Sequence, residues 1–194
     1  LLFVWLALGL MPSAANSDRL CVWFGNIFVV SFGLSLIGVA MLVFTTVERE
    51  TDYAVLAAIF FLIGIGMGLT MAPSTTLVMD SIPHDKAGVG SATNDASREV
   101  GGAFGIAIVG SAVNEIYQRE MEVPVGLEVH SDVVSESFPA AIRIGNELLA
   151  LGDEMGHELI VNAEFAFVEG MTGAAAISAM AAIINACLLY TSDA

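Results

Sequence analysis

The stretch YAVLAAIFFLIGIGMGLTMAPSTTLVM, residues 53–79, contains no charged side chain. Residues 20–47 and 170–192 are also free of charge. A helix needs about 20 mostly apolar residues to cross a bilayer core roughly 30 Å thick, and each of these runs is long enough. The alternative, a buried helix of a soluble protein, would show a polar face at helical spacing. These runs show no charged stripe, which favours membrane-spanning helices.

The pattern of apolar runs and polar connections predicts an all-α integral membrane protein. We expect four full transmembrane helices and one truncated helix at the start, with a polar turn at 15–20 after it. The predicted helices are residues 1–14, 26–46, 53–79, 91–117 and 165–189. Within the polar region, residues 118–164, apolar residues recur three and four positions apart, which predicts short amphipathic helices. A disordered acidic loop is the alternative for this region.

Charge and motif content exclude several functions. The net charge is −15 with only six Lys and Arg residues, which argues against nucleic-acid binding because phosphates are neutralised by basic side chains. Common catalytic and nucleotide-binding motifs are absent. Cys21 and Cys187 have no CxxC partner, and the histidines (His84, His130 and His157) lack metal-ligand spacing. We therefore expect no enzyme activity, no cofactor and no metal.

Small residues in the spans predict close helix packing. Gly64 and Gly68 are spaced by four, as are Gly101 and Gly105, and Gly102 lies beside them. Small residues at this spacing let helix backbones approach closely in lipid. Pro73 removes one backbone hydrogen bond from its helix, which predicts either a structural kink or a hinge.

A polar cluster opens the 91–117 helix. It consists of Asn94, Asp95, Arg98 and Glu99. One interpretation is a charged helix end at the membrane interface, where Asp95 and Arg98 at i,i+3 partly neutralise each other and Arg98 snorkels toward water. The other interpretation is a role in gating or proton coupling.

The sequence from residue 64 to 110 resembles the fourteen-helix drug:proton antiporters of the major facilitator superfamily. Those transporters carry a G-x-G-x-G-L-x-x-x-P helix, a loop with P-x-x-x-A-G-x-G-S-A, and a helix that opens N-D-x-x-R-x-x-G-G-A-x-G. The matching residues here are Gly64, Gly66, Gly68, Leu69, Pro73, Pro83, Ala87, Gly88, Gly90, Ser91, Ala92, Asn94, Asp95, Arg98, Gly101, Gly102, Ala103 and Gly105. Residues 166–186 look like the last helix of the same family.

The resemblance implies a partial major-facilitator bundle, with residues 1–194 as the C-terminal part of one transporter domain whose N-terminal part is missing. It implies a multi-pass protein of the cytoplasmic membrane, with loops 15–25 and 80–90 cytoplasmic and 118–164 extracytoplasmic. The implied function is export of amphipathic or cationic compounds in exchange for protons by alternating access. The implied partners are the lipid bilayer, small amphipathic substrates and protons.

Two departures from the family pattern are visible. Asn26 and Ile27 stand where the cytoplasmic loop motif of the superfamily has basic residues, and residues 189–194 lack the basic tail expected there. Proton-coupling acids are expected on helices outside this chain. The alternative functions are a membrane anchor of a sensor or enzyme, and a four-helix channel, for which the spans carry too few polar side chains.

Overall fold

A computed structural model describes residues 2–48, 50–83, 86–127 and 131–192. The elements found in these ranges are all α-helices. They are α1 (Leu2–Phe24), α2 (Asn26–Phe44), α3 (Tyr53–Asp80), α4 (Ala87–Glu120), α5 (Ser131–Glu136), α6 (Phe138–Ala150) and α7 (Met155–Ser192). Among them, α2, α3, α4 and α7 are long and apolar enough to cross a membrane. The predicted all-α membrane fold with four full spans is thereby confirmed.

The first helix is longer than predicted, because no turn interrupts it at 15–20. Polar side chains in this stretch bond back to their own helix: Asn16 Nδ2 donates to the Pro12 carbonyl at 2.8 Å, and Ser17 Oγ donates to the Ala14 carbonyl at 2.7 Å. Such bonds satisfy polar groups within a continuing helix. The helix ends at Phe24, and Gly25 follows it with a φ of 88°, a conformation that favours glycine.

The last helix also begins earlier than residue 165. The Met155 N–H donates to Asp153 Oδ1 at 3.0 Å, which satisfies one of the N–H groups left free at a helix start. Gly152, at φ 80°, makes the turn that precedes it. The polar side chains of residues 155–164 are therefore part of α7 and do not form a loop.

The chain divides into two compact units. Unit 1 comprises Leu1–Phe44, Thr51–Ile106 and Ala176–Ala194. In this unit α3 packs against both α1 and α2, and its buried residues are mostly small: Ala57, Gly64, Gly66, Gly68 and Pro73 are among them. A helix pair with small residues at the contact gains van der Waals packing at short backbone distance.

Unit 2 comprises Thr45–Glu50 and Ala107–Ala175, and it contains the polar region. Its core is apolar and includes fully buried Val134, Leu159 and Ala163. Phe138 stacks on Phe167 with ring centroids 4.4 Å apart. The amphipathic helices predicted for residues 118–164 are therefore present as α5, α6 and the start of α7, and the disordered-loop alternative is wrong for the described part.

A buried hydrogen bond ties the polar region to the end of α4. The Tyr117 hydroxyl donates to the Val134 carbonyl at 2.8 Å, and Tyr117 is only 2% exposed. The Asn162 side chain donates to the Glu122 carbonyl at 3.0 Å. These contacts join residues 17 and 40 positions apart in sequence, so unit 2 is held together by its own tertiary structure.

Candidate functional site

The α1–α3 contact is built around glycines on both helices. A Cβ atom placed on Gly64 would meet the Leu6 carbonyl and would lie 3.0 Å from Leu10 N. A Cβ atom on Gly68 would meet Ser13 Oγ and would lie 2.7 Å from the Leu10 carbonyl. Because the obstructing atoms are largely backbone, a side chain at either position requires the two helices to move apart.

A second glycine contact joins α2 and α3. A Cβ atom on Gly66 would lie 2.7 Å from the Gly33 carbonyl, and one on Gly33 would lie 2.9 Å from the Gly66 carbonyl. Gly66 belongs to the glycine motif of the sequence, whereas Gly33 is a partner that the sequence reasoning missed. Its only signal is its place among small residues, between Ser31 and Ser35.

Pro73 is fully buried in the last third of α3. Since proline has no N–H, the helix lacks one hydrogen bond at this position. The neighbouring hydroxyls bond to helix carbonyls: Ser74 Oγ donates to Thr70 at 2.6 Å, and Thr75 Oγ1 donates to Met71 at 3.0 Å. Such side chains help a proline-containing helix persist in lipid. A hinge at Pro73 stays a prediction.

The structure places the polar cluster on α4. Asp95, Arg98 and Glu99 are exposed, and Asn94 is half-buried. Within the part of the chain that the structure describes, no salt bridge joins Arg98 to Asp95 or to Glu99. The salt bridge that the i,i+3 spacing of Asp95 and Arg98 permits is therefore not formed in the described chain. Arg98 instead borders a cavity between α1 and α3 of about 380 Å³.

The glycines that follow the cluster on α4 face open space. Cβ atoms on Gly101, Gly102 and Gly105 would meet no atom of the described chain within 4 Å. The close packing predicted for them is not made with the helices of this chain. A packing role for these three glycines stays a prediction, and it requires a partner helix from elsewhere in a transporter.

The described residues contain no cluster of three or more His, Cys, Asp or Glu side chains suited to a metal ion. Cys21 and Cys187 are both free thiols. His84 and His130 lie outside the described residues.

The glycine-packed helices α1, α2 and α3 lie in the part of the chain that matches a known protein family. A family model of the Major Facilitator Superfamily matches residues 1–106, which include α1, α2, α3 and the polar cluster of α4. The chain belongs to the Major Facilitator Superfamily. It is thus a multi-pass membrane protein of a transporter family, and its helices form part of the bundle of that family.

Several curated relatives extend this match. The chain is 26% identical to the multidrug efflux pump LfrA of Mycolicibacterium smegmatis over 158 residues, which cover 81% of this chain and 31% of LfrA. It is 27% identical to the methyl viologen resistance protein SmvA of Salmonella typhimurium over 136 residues, covering 70% of this chain and 26% of SmvA. The multidrug transporter protein MdtP of Bacillus subtilis is 30% identical over 82 residues, covering 42% of this chain and 15% of MdtP. The chain spans a third or less of these relatives.

Membership in the superfamily relates the close packing of α1 and α3 to the helical bundles of transporters. Transporters of this kind move helical bundles against each other around a central site. In this chain the close contacts at Gly64, Gly66 and Gly68 hold α1 and α2 against α3. The matched residues also contain Arg98 and its cavity.

Proposed function

We propose that this chain is the C-terminal part of a multidrug efflux transporter, which exports amphipathic or cationic compounds in exchange for protons by alternating access. The observation that carries the proposal is the superfamily match over residues 1–106. Relatives named as multidrug efflux or methyl viologen resistance proteins support the substrate class. Nothing in the described residues favours the membrane-anchor or channel alternatives.

In this proposal α1, α2 and α3 move together as one rigid part of a bundle. Glycine contacts fix α1 and α2 on α3, and rocking of bundles changes which side of the membrane the substrate site faces. Protonation of a buried carboxylate would set the preferred state. The uncharged runs 20–47, 53–79 and 170–192 contain no such carboxylate, so the coupling acids are proposed to lie in other helices of the transporter.

We place the transporter in the cytoplasmic membrane, with loops 15–25 and 80–90 cytoplasmic and the polar region extracytoplasmic. Asn94, Asp95, Arg98 and Glu99 then form the interfacial start of α4. The exposure of Asp95, Arg98 and Glu99 favours anchoring at the interface. Gating or proton coupling by the same residues is the second interpretation.

The deciding experiment uses a full-length transporter that contains this chain, in inside-out membrane vesicles. A lipophilic cation dye is added to the medium, and its uptake into the energised vesicles is measured. We expect an imposed proton gradient to drive dye accumulation, and a protonophore to abolish it. Vesicles that contain the empty vector are the control. Dye levels that ignore the gradient in vesicles shown to be intact would refute the antiporter proposal.

A further inference from the structure

One cavity in unit 1 has a single charged side chain in its lining. It lies between α1 and α3 and has a volume of about 380 Å³, within the range typical of small-molecule sites. Leu10 and Ala14 line it from α1, Met67 and Met71 from α3, and Arg98 from α4. The cavity therefore combines an apolar, adaptable wall with one guanidinium group.

The guanidinium has no acidic counterpart at this cavity. Asp95 and Glu99 are not among the lining residues, and no salt bridge joins either of them to Arg98 in the described chain. Arg98 lies near the start of α4, a helix long and apolar enough to cross a membrane, and a charged side chain on such a helix is commonly offset by an opposite charge. The counter-charge that suits Arg98 is therefore one that a ligand can supply.

The remaining polar groups of the lining do not compete for that anion. Thr75 Oγ1 donates to the Met71 carbonyl at 3.0 Å, and Thr76 Oγ1 donates to the Ala72 carbonyl at 3.3 Å. Their hydroxyl protons are thus engaged, and they present lone pairs to the cavity. Among the lining side chains, Arg98 alone offers free donors, and its planar fork suits the oxygens of a phosphate or carboxylate.

The geometry points to a binding site for an amphipathic anion: its phosphate or carboxylate group binds Arg98, and its apolar body lies against Met67 and Met71. Unbranched methionine side chains adapt to ligands of different shape. A lipophilic cation would meet the guanidinium with no carboxylate to offset it. The site is therefore distinct in ligand charge from the cationic compounds of the proposed transport, and it does not depend on that proposal.

Two sources can supply such a ligand, an anionic phospholipid or a free amphipathic anion. The free-ligand arm titrates the 194-residue chain, purified in a non-ionic detergent, with octyl phosphate and with octyltrimethylammonium by isothermal titration calorimetry. The lipid arm compares retention of phosphatidylglycerol and phosphatidylcholine by native mass spectrometry. Arg98→Ala is the test variant. Arg119→Ala, an exposed arginine at the other end of α4, is the matched control.

We expect Arg98-dependent binding of the anionic probe in at least one arm, and the arm that shows it identifies the source. Loss of a charged hydrogen-bonding partner should weaken octyl phosphate binding about tenfold or more in Arg98→Ala, while Arg119→Ala binds like the wild type. Equal binding by wild type and Arg98→Ala in both arms would overturn the inference. So would binding of octyltrimethylammonium to the wild type as tightly as octyl phosphate.

A second variant protects against misfolding of the first. Ala72→Leu fills the cavity and keeps the guanidinium, so it should weaken binding while the helical circular dichroism spectrum stays unchanged. If Ala72→Leu bound the anionic probe with wild-type affinity, the inference would be overturned even if Arg98→Ala could not be purified. Because binding is measured without a proton gradient, failure of this site leaves the efflux proposal standing, and failure of efflux leaves the site standing.

Discussion

Gly64 lies at a close approach of the backbones of α1 and α3. A methyl group there would collide with the Leu6 carbonyl and lie 3.0 Å from Leu10 N. We therefore expect Gly64→Ala to lower the free energy of unfolding by about 1–3 kcal/mol, the usual cost of inserting atoms into a packed contact. The measurement is the thermal midpoint of the purified protein in detergent.

Gly105→Ala provides the matched control for this prediction. Its added methyl group would meet no atom of the described chain within 4 Å, and alanine favours helix over glycine by about 1 kcal/mol. In the purified 194-residue chain, the thermal midpoint should therefore stay the same or rise. A fall in Gly105→Ala equal to that of Gly64→Ala would show that glycine packing between α1 and α3 is not what the substitution disturbs.

Asp95→Asn separates anchoring from proton coupling. The Asp95 carboxylate is exposed and has no salt bridge to Arg98 in the described chain. We expect the variant to drive dye efflux at the wild-type rate, since an interfacial side chain of similar shape and polarity still marks the helix start. The measurement is proton-gradient-driven efflux, corrected for transporter abundance. Normal abundance with abolished efflux would assign Asp95 to coupling.

Sequence reasoning located the glycine face of α3 but only half of each contact. The spacing of Gly64 and Gly68 indicated a close approach, because small residues four apart share a helix face. The partner positions came only from the structure: a Cβ atom on Gly9 of α1 would lie 3.3 Å from Gly64 C, and Gly33 of α2 faces Gly66. A lone glycine does not reveal in the sequence which helix it faces. The i,i+3 spacing of Asp95 and Arg98 permits a salt bridge without enforcing one.

At the scale of helices, charge-free runs predicted the spans well and their ends poorly. A run without charged side chains marks the part of a helix that crosses the hydrocarbon layer of the bilayer. The starts of α2 and α3 were predicted correctly from such runs, at Asn26 and Tyr53. The prediction fails at the polar stretch 15–20, which α1 passes through, and at the polar start of α7, because hydrogen bonds from side chains to backbone decide there whether a helix continues. Such bonds depend on geometry that residue types alone do not determine.

The start of α7 provides a test of this explanation. Asp153→Ala removes the acceptor for the Met155 N–H and should destabilise the first turn by about 1 kcal/mol. Amide hydrogen exchange in residues 155–158 should become faster, as measured by mass spectrometry. Asp153→Asn, which keeps an acceptor oxygen, should restore protection. Unchanged exchange in Asp153→Ala would mean that packing alone sets the start of α7.

Helix α4 differs from the other spans in how little of it is buried. Only 6% of its most apolar window is buried, against 33% for α2 and for α3. An apolar helix surface of this kind suits lipid or further transmembrane helices. Because the chain spans a third or less of its relatives, the remainder of a transporter is the partner that we propose for this surface.

On the scale of the whole molecule, the two units were not equally predictable. Residues 1–106 carry motifs that specify the superfamily, so their fold followed from the sequence. The polar region lies outside that match, and only its helical periodicity could be seen. Its core depends on contacts such as the Tyr117–Val134 hydrogen bond and the Phe138–Phe167 stack, which join distant residues and leave no local pattern.

One part of the proposed sidedness, that the two ends of α4 lie on opposite sides of the membrane, is supported by its length of 34 residues. At 1.5 Å per residue it is about 51 Å long, longer than a bilayer of about 40–45 Å with its headgroups. The residues before and after it should therefore lie on opposite sides of the membrane. Ser81 follows α3 and precedes α4, whereas Glu147 lies in α6.

Cysteine labelling tests this arrangement in a full-length transporter. Ser81→Cys and Glu147→Cys are made separately in a Cys21→Ala, Cys187→Ala background, with any further native cysteines also replaced. Both sites are exposed, so reactivity reports on sidedness. In intact cells a membrane-impermeant maleimide should label Glu147→Cys and spare Ser81→Cys, which should react only after the membrane is permeabilised. The reverse pattern would invert the proposed topology, and labelling of both sites in intact cells would show that α4 does not cross the membrane.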